Sequence, residues 1–181
     1  ESQSNGKIEE AGKTVREFTR VLKEQIESNA KMELDCTLAI VLWMVRWAAM
    51  LTSRFLVGKD GRTAYERRTG RRCRVPVVPF GESVWYKEIR ETKERKEKFS
   101  SEWREGIWLG HQRSSNEALV GTSRGVVKAY SIKRREPDQR WNKAAILGMV
   151  GTPQQPDPTR PGAKIPIRIN IDKAEVGEPV P

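Results

Sequence analysis

The stretch 34-LDCTLAIVLWMVRWAAMLTSRFLV-57 decides how the chain is read. Its length and apolar content raise a membrane span. Asp35, Arg46 and Arg54 interrupt it, and charges near a bilayer centre are costly and rare. The uninterrupted part, Thr37 to Val45, is only nine residues. The stretch therefore predicts a helix buried on most sides of a globular core. A membrane-associated basic protein built on 34–57 is the lesser alternative.

Upstream, Ile8, Ala11, Val15, Phe18, Leu22 and Ile26 recur at gaps of three and four. That spacing predicts an amphipathic helix from Asn5 to about Ser28, capped by Ser4 or Asn5. Glu9, Lys13, Arg16, Arg20 and Lys23 fall on another face of the same helix. A carboxylate in a first turn is stabilised by the helix dipole, and the cations fit a solvated face with pairs such as Glu9–Lys13. The same geometry permits a second account. A carboxylate can hold a divalent ion, and a basic stripe beyond it can hold a phosphate backbone.

Downstream, "GKDGRTAYERRTGRRCRVP" carries Arg62, Arg67, Arg68, Arg71, Arg72 and Arg74. Its glycines and Pro76 predict an arginine-rich loop over 61–79. Guanidinium forks match phosphate oxygens, so the loop suits phosphate contacts as well as simple solvation. Short apolar pieces follow: "ESVWYKEI", "GIWLG", "EALVG" and "GVVKAYSIKRR", each bounded by turn residues. They predict a small antiparallel barrel over 80–141. Its surface would present Lys128, Lys133, Arg134 and Arg135. The mixed-charge insert 88–105 suits a solvated helix with Glu91–Arg95 and Glu94–Lys98 four apart. The remainder, 142–181, reads as a linker. It turns proline-rich at about Gly151, with seven of the ten prolines beyond that point, and predicts no fixed fold there. "KIPIRINIDK" alternates and suits a strand where an edge is offered.

Composition limits the partners. Lys+Arg outnumber Asp+Glu by 34 to 24 in 181 residues. Such an excess favours polyanions, nucleic acid above all, then an anionic membrane surface. His111 is the only histidine, which excludes His-based zinc sites and Ser-His-Asp triads within this chain. Cys36 and Cys73 have no metal-ligand spacing and make no disulfide framework. The N-terminal stretch lacks the basic–apolar–small pattern of a signal peptide.

"SQSNGKIEE" before a long helix resembles the end of the catalytic core of copia-like retroelement integrases. The apolar helix followed by "GRTAYERRTGRR" is similar to that family's helix and "TPYE…GR" segment. Here Thr63-Ala64-Tyr65 stands in place of Thr-Pro-Tyr. "VPFGESVWY", "EGIWLGH" and "GVVKAYSIKRR" resemble the stretches after it, so the likeness runs from about Glu1 to Trp141. The tail looks like a polyprotein linker.

The resemblance implies an α+β architecture. Two long helices, the remnant of a ribonuclease-H-like integrase core, span 1–60 and precede the loop, the barrel and a disordered tail. It implies that Glu9 is the last acid of an Asp, Asp, Glu triad and a Mg2+ ligand in a complete integrase. It implies DNA-end contacts by Lys13 and Arg16. The two upstream aspartates and the zinc module are not in this chain, so no catalysis and no bound Mg2+ are expected of it alone. DNA, with RNA as a second choice, would be held by Lys13, Arg16 and Arg20, by Arg67, Arg68, Arg71, Arg72 and Arg74, and by the barrel cations. Trp85, Tyr86, Trp103 and Trp108 would stack on unpaired bases or pack in the barrel core. Other expected partners are the rest of the polyprotein or further copies of this chain, with no small-molecule substrate and no membrane. An intracellular, nuclear location follows. The alternative is a non-enzymatic structural or assembly protein derived from such an element.

Overall fold

The computed structural model describes residues 2–87, 102–129 and 131–160, with side chains from residue 6 on. Helix α1 runs Ser2–Ala30, α2 Ala39–Phe55, α3 Ala64–Thr69 and α4 Lys143–Gly148. Strands β1 Ser83–Lys87, β2 Trp103–His111, β3 Ala118–Thr122, β4 Gly125–Ala129 and β5 Ile132–Arg134 form one antiparallel sheet. The chain is α+β.

The core follows from α2. Ile40, Trp43, Met44, Trp47 and Ala48 are buried, and their spacing of three, one, three and one places them on a single helical face. Asp35 prepares the entry. Its Oδ1 accepts from the Thr37 backbone N–H at 2.7 Å and from the Thr37 hydroxyl at 2.7 Å. These bonds hold the Asp35 carboxyl below the usual carboxylate range. Helix α1 lies along α2 by its C-terminal half: Leu22 and Ile26 are buried, with Val15 and Phe18 partly so.

The sheet packs on the same face. Trp47 meets Trp108 of β2 edge to face, ring centroids 4.9 Å apart. Gly110 makes this approach possible. Its φ is 104°, and a Cβ there would run into the Trp47 ring. The β2–β3 pairing shifts register between Trp108 and His111, so the glycine marks an irregularity where backbone meets helix.

Several expectations change. Helix α1 begins at Ser2, so Asn5-Gly6 is helical rather than a turn, and Glu9 lies about two turns inside the helix. The dipole account of Glu9 therefore does not hold, because the dipole acts within the first turn. The segment 61–79 is not loop throughout, since it contains α3. Thr63 and Glu66 close a capping box on that helix: the Thr63 N–H donates to Glu66 Oε2 at 2.7 Å, and the Glu66 N–H donates to Thr63 Oγ1 at 3.1 Å. Gly70, with φ of 72°, ends it.

The barrel is an open sheet of order β4-β3-β2-β1-β5. Its end strands sit on opposite edges, and closure would require those edges to pair. Part of the charged insert, 103–105, belongs to β2. Residues 88–101, which include the expected helical pairs, lie outside the described residues.

Residues 142–160, expected to be a linker without a fixed fold from about Gly151, are packed on the core. Asn142 caps α4 by accepting from the Ala145 N–H at 3.1 Å. Ile146 and Met149 are buried in the main core. The Gly151 carbonyl accepts from Trp43 Nε1 at 2.8 Å. The Pro156 carbonyl accepts from the Val126 N–H of β4 at 2.9 Å. The alternating "KIPIRINIDK" piece lies outside the described residues. Among the described residues, no helix is long and apolar enough to cross a membrane.

Candidate nucleic-acid interface

The projecting half of α1 carries the first group of candidates. Residues 6–13 are all exposed, and Ile8 is 69 % exposed. At 1.5 Å per residue, Ser2 to Lys13 extends about 18 Å along the axis. Lys13, Arg16 and Arg20 are exposed on one face of this helix. Among the described residues none of the three makes an ion pair within 4 Å.

Glu9 is exposed beside them. Among the described residues no three His, Cys, Asp or Glu side chains come together as a metal set. Mg2+ demands near-ideal octahedral oxygen coordination, and the residues around Glu9 do not fit that requirement.

The second group divides by pairing. Arg67 forks onto Asp60, with Nε donating to Oδ2 at 2.9 Å. The Arg67 guanidinium holds the Asp60 carboxyl far below the usual carboxylate range. Arg72 Nε donates to Glu66 Oε1 at 3.0 Å. Arg68 lies over the Tyr65 ring at 5.9 Å. Arg71 and Arg74 are exposed and, among the described residues, form no ion pair.

The sheet cations are also engaged. Arg134 forks onto buried Glu82 at 2.7 and 2.8 Å. Arg135 pairs with Glu105 at 2.5 Å and lies 4.7 Å from the Trp85 ring centroid. Lys128 sits 3.4 Å from Glu117. Lys133 stands 4.3 Å over the Trp103 ring. Trp108 and Tyr86 are buried in the core, so neither presents a ring to an external base.

Three residues matter here that their residue types did not announce. Arg54 is only 4 % exposed. Its Nη2 donates to Asn116 Oδ1 at 2.7 Å, and its guanidinium lies 5.6 Å from the Tyr65 ring centroid. No carboxylate among the described residues pairs with it. Asn116 has φ of 59°, and its backbone carbonyl lies 3.0 Å from His111 Nδ1. The other ring nitrogen, Nε2, lies 2.8 Å from the Pro76 carbonyl. His111 thus stands between the arginine segment and the β2–β3 loop, and its neutral ring, with a single N–H, donates to one of the two carbonyls. Between these walls opens a groove of about 890 Å3, lined by Tyr65, Arg71, Arg72, Arg74, Pro76 and Asn116. A signal for this pairing was present in Arg54, a charge inside an apolar helix.

Burial is the largest influence on His111 and pushes its pKa below the ordinary histidine value; the carbonyls of Pro76 and Asn116 oppose it, and Arg54 reinforces it. A ring harder to protonate when folded than when unfolded makes the unfolded state bind the extra proton. Stability is therefore fully present above the ordinary value near 6.5. It falls as pH drops through that value toward the lower folded one. Because His111 is the sole histidine, urea midpoints measured between about pH 7.5 and 5.5 should decline. A His111→Gln variant should flatten that slope. The carboxylates of Asp60, Glu66 and Glu27, held low by their partners, act in a more acid window.

Comparison of the chain with protein-family models, with curated proteins and with solved structures gave no match.

Proposed function

We propose that this chain binds nucleic acid through its phosphate backbone, as a fragment of a retroelement integrase engaged in DNA integration. The observation that carries this reading is the cationic face of α1, where Lys13, Arg16 and Arg20 form no ion pair among the described residues. Lys13, Arg16 and Arg20 stand exposed on a helix that extends beyond the core. A convex, charged helix suits a duplex surface, where phosphate contacts supply affinity without reading sequence. Among the described residues no three potential ligands gather as a metal set, and the reading is one of binding.

Duplex DNA binding at two salt concentrations tests it, with Lys13→Ala/Arg16→Ala/Arg20→Ala beside the native chain. Each phosphate contact contributes about 0.9 to the slope of log affinity against log salt. The triple variant should therefore lose a slope of about 3. Affinity that does not change with salt would defeat the proposal.

A second reading, an assembly protein, has its own support. Val21, Leu42 and Val45 are 59 %, 45 % and 44 % exposed on α1 and α2. Absence of any nucleic-acid binding, together with self-association in sedimentation, would favour it.

A further inference from the structure

We infer that the arginine groove holds an unpaired nucleic-acid strand, a task separate from the duplex contact of α1; this inference rests on the nucleic-acid reading above. The shape of the groove favours a single strand. Proteins that read a duplex insert a convex element, and the major groove of about 12 Å admits a helix. The surface of Arg71, Arg72 and Arg74 is concave. Single strands are held in positively charged grooves, with bases laid on aromatic rings or guanidinium planes.

The chemistry agrees. The groove wall presents three arginines and the Tyr65 ring, and among the described residues no carboxylate lines it, Glu66 meeting Arg72 from outside the lining. Arg54 lies beside it, buried, and hydrogen-bonded to the groove-lining Asn116. A buried guanidinium that no carboxylate of the described residues pairs sets a positive field that solvent screens weakly.

The groove is also partly preorganised. Two lining residues, Pro76 and Asn116, set their backbone carbonyls against opposite nitrogens of the one His111 ring, whose single N–H donates to one of them. Arg54 holds Asn116 from a different direction, out of α2. These contacts restrain the walls before a ligand arrives, which lowers the ordering cost of binding.

Fluorescence anisotropy with a short labelled oligothymidine strand and a duplex of equal length tests the inference. Arg71→Ala/Arg74→Ala is the groove variant. Neither side chain forms an ion pair among the described residues, so unchanged thermal unfolding should confirm that it folds. Losing two charge-assisted phosphate contacts should weaken strand binding about tenfold or more. Duplex affinity should change less than about threefold, because its contacts lie on α1. The α1 triple variant should show the opposite pattern. Equal losses on both probes, or strand binding untouched by the groove variant, would overturn the inference and leave duplex binding standing. A native chain that binds neither probe would overturn both.

Discussion

Trp43→Ala should lower stability by about 3–5 kcal/mol, the range for a large aromatic deleted from a core. Trp43 is fully buried on α2, and Arg46 lies over its ring at 5.1 Å. Its Nε1 donates to the Gly151 carbonyl, 108 residues away. Truncation leaves a cavity and an unpaired carbonyl together. Trp43→Phe keeps most of the volume and removes only the donor, so it should cost about 1–3 kcal/mol for the group left unsatisfied. Urea unfolding measures both. A loss below about 1 kcal/mol for Trp43→Ala would mean that α2 is not the seat of the core.

Arg134→Ala should cost about 2–3 kcal/mol, somewhat below the range for breaking a buried pair because Arg134 is itself half exposed. The cost comes from Glu82, which is 1 % exposed and loses both bonds of the fork. Arg140 remains, with its Nε 3.7 Å away, and repays a part. Removing the exposed partner thus strands the buried one. The combination Arg134→Met/Glu82→Leu should recover much of the loss, since apolar replacement of both partners is often neutral. A double variant no more stable than Arg134→Ala would show that the pair sets the geometry of β1 and β5. Any DNA-binding defect of Arg134→Ala has to be judged against this loss of fold.

The helices were legible because apolar periodicity is local. The spacing in 34–57 marked α2, which is the shorter Ala39–Phe55, and burial on most sides was overstated: one face is buried while Leu42, Val45 and Phe55 are exposed. Arg46 and Arg54 turn out to reach the β2–β3 loop, donating to Gln112 Oε1 and Asn116 Oδ1. The start of α1 was hidden because Asn-Gly favours turns, a preference the helix here overrides. Strand positions were legible from short apolar runs between turn residues. Closure into a barrel was not, because it depends on which edges meet and not on any single strand's pattern. Prolines suggested a loose tail, yet the carbonyls of Gly151 and Pro156 remain good acceptors and tie 151–160 to α2 and β4. Among the cations, charge could be counted in the sequence but pairing could not. Glu82 and Arg134 are 52 residues apart, and nothing local announces that they meet.

An open sheet leaves two rows of backbone groups able to recruit a strand from another molecule, the usual start of aggregation. This fold guards both. At β5 the strand is only three residues long and carries Lys133, whose charge opposes stacking of like chains. At β4 the guard is 151–160. The Pro156 carbonyl occupies the Val126 N–H, and proline has no N–H with which to extend the ladder. The segment whose composition suggested a spacer thus keeps neighbouring copies of the sheet from joining edge to edge.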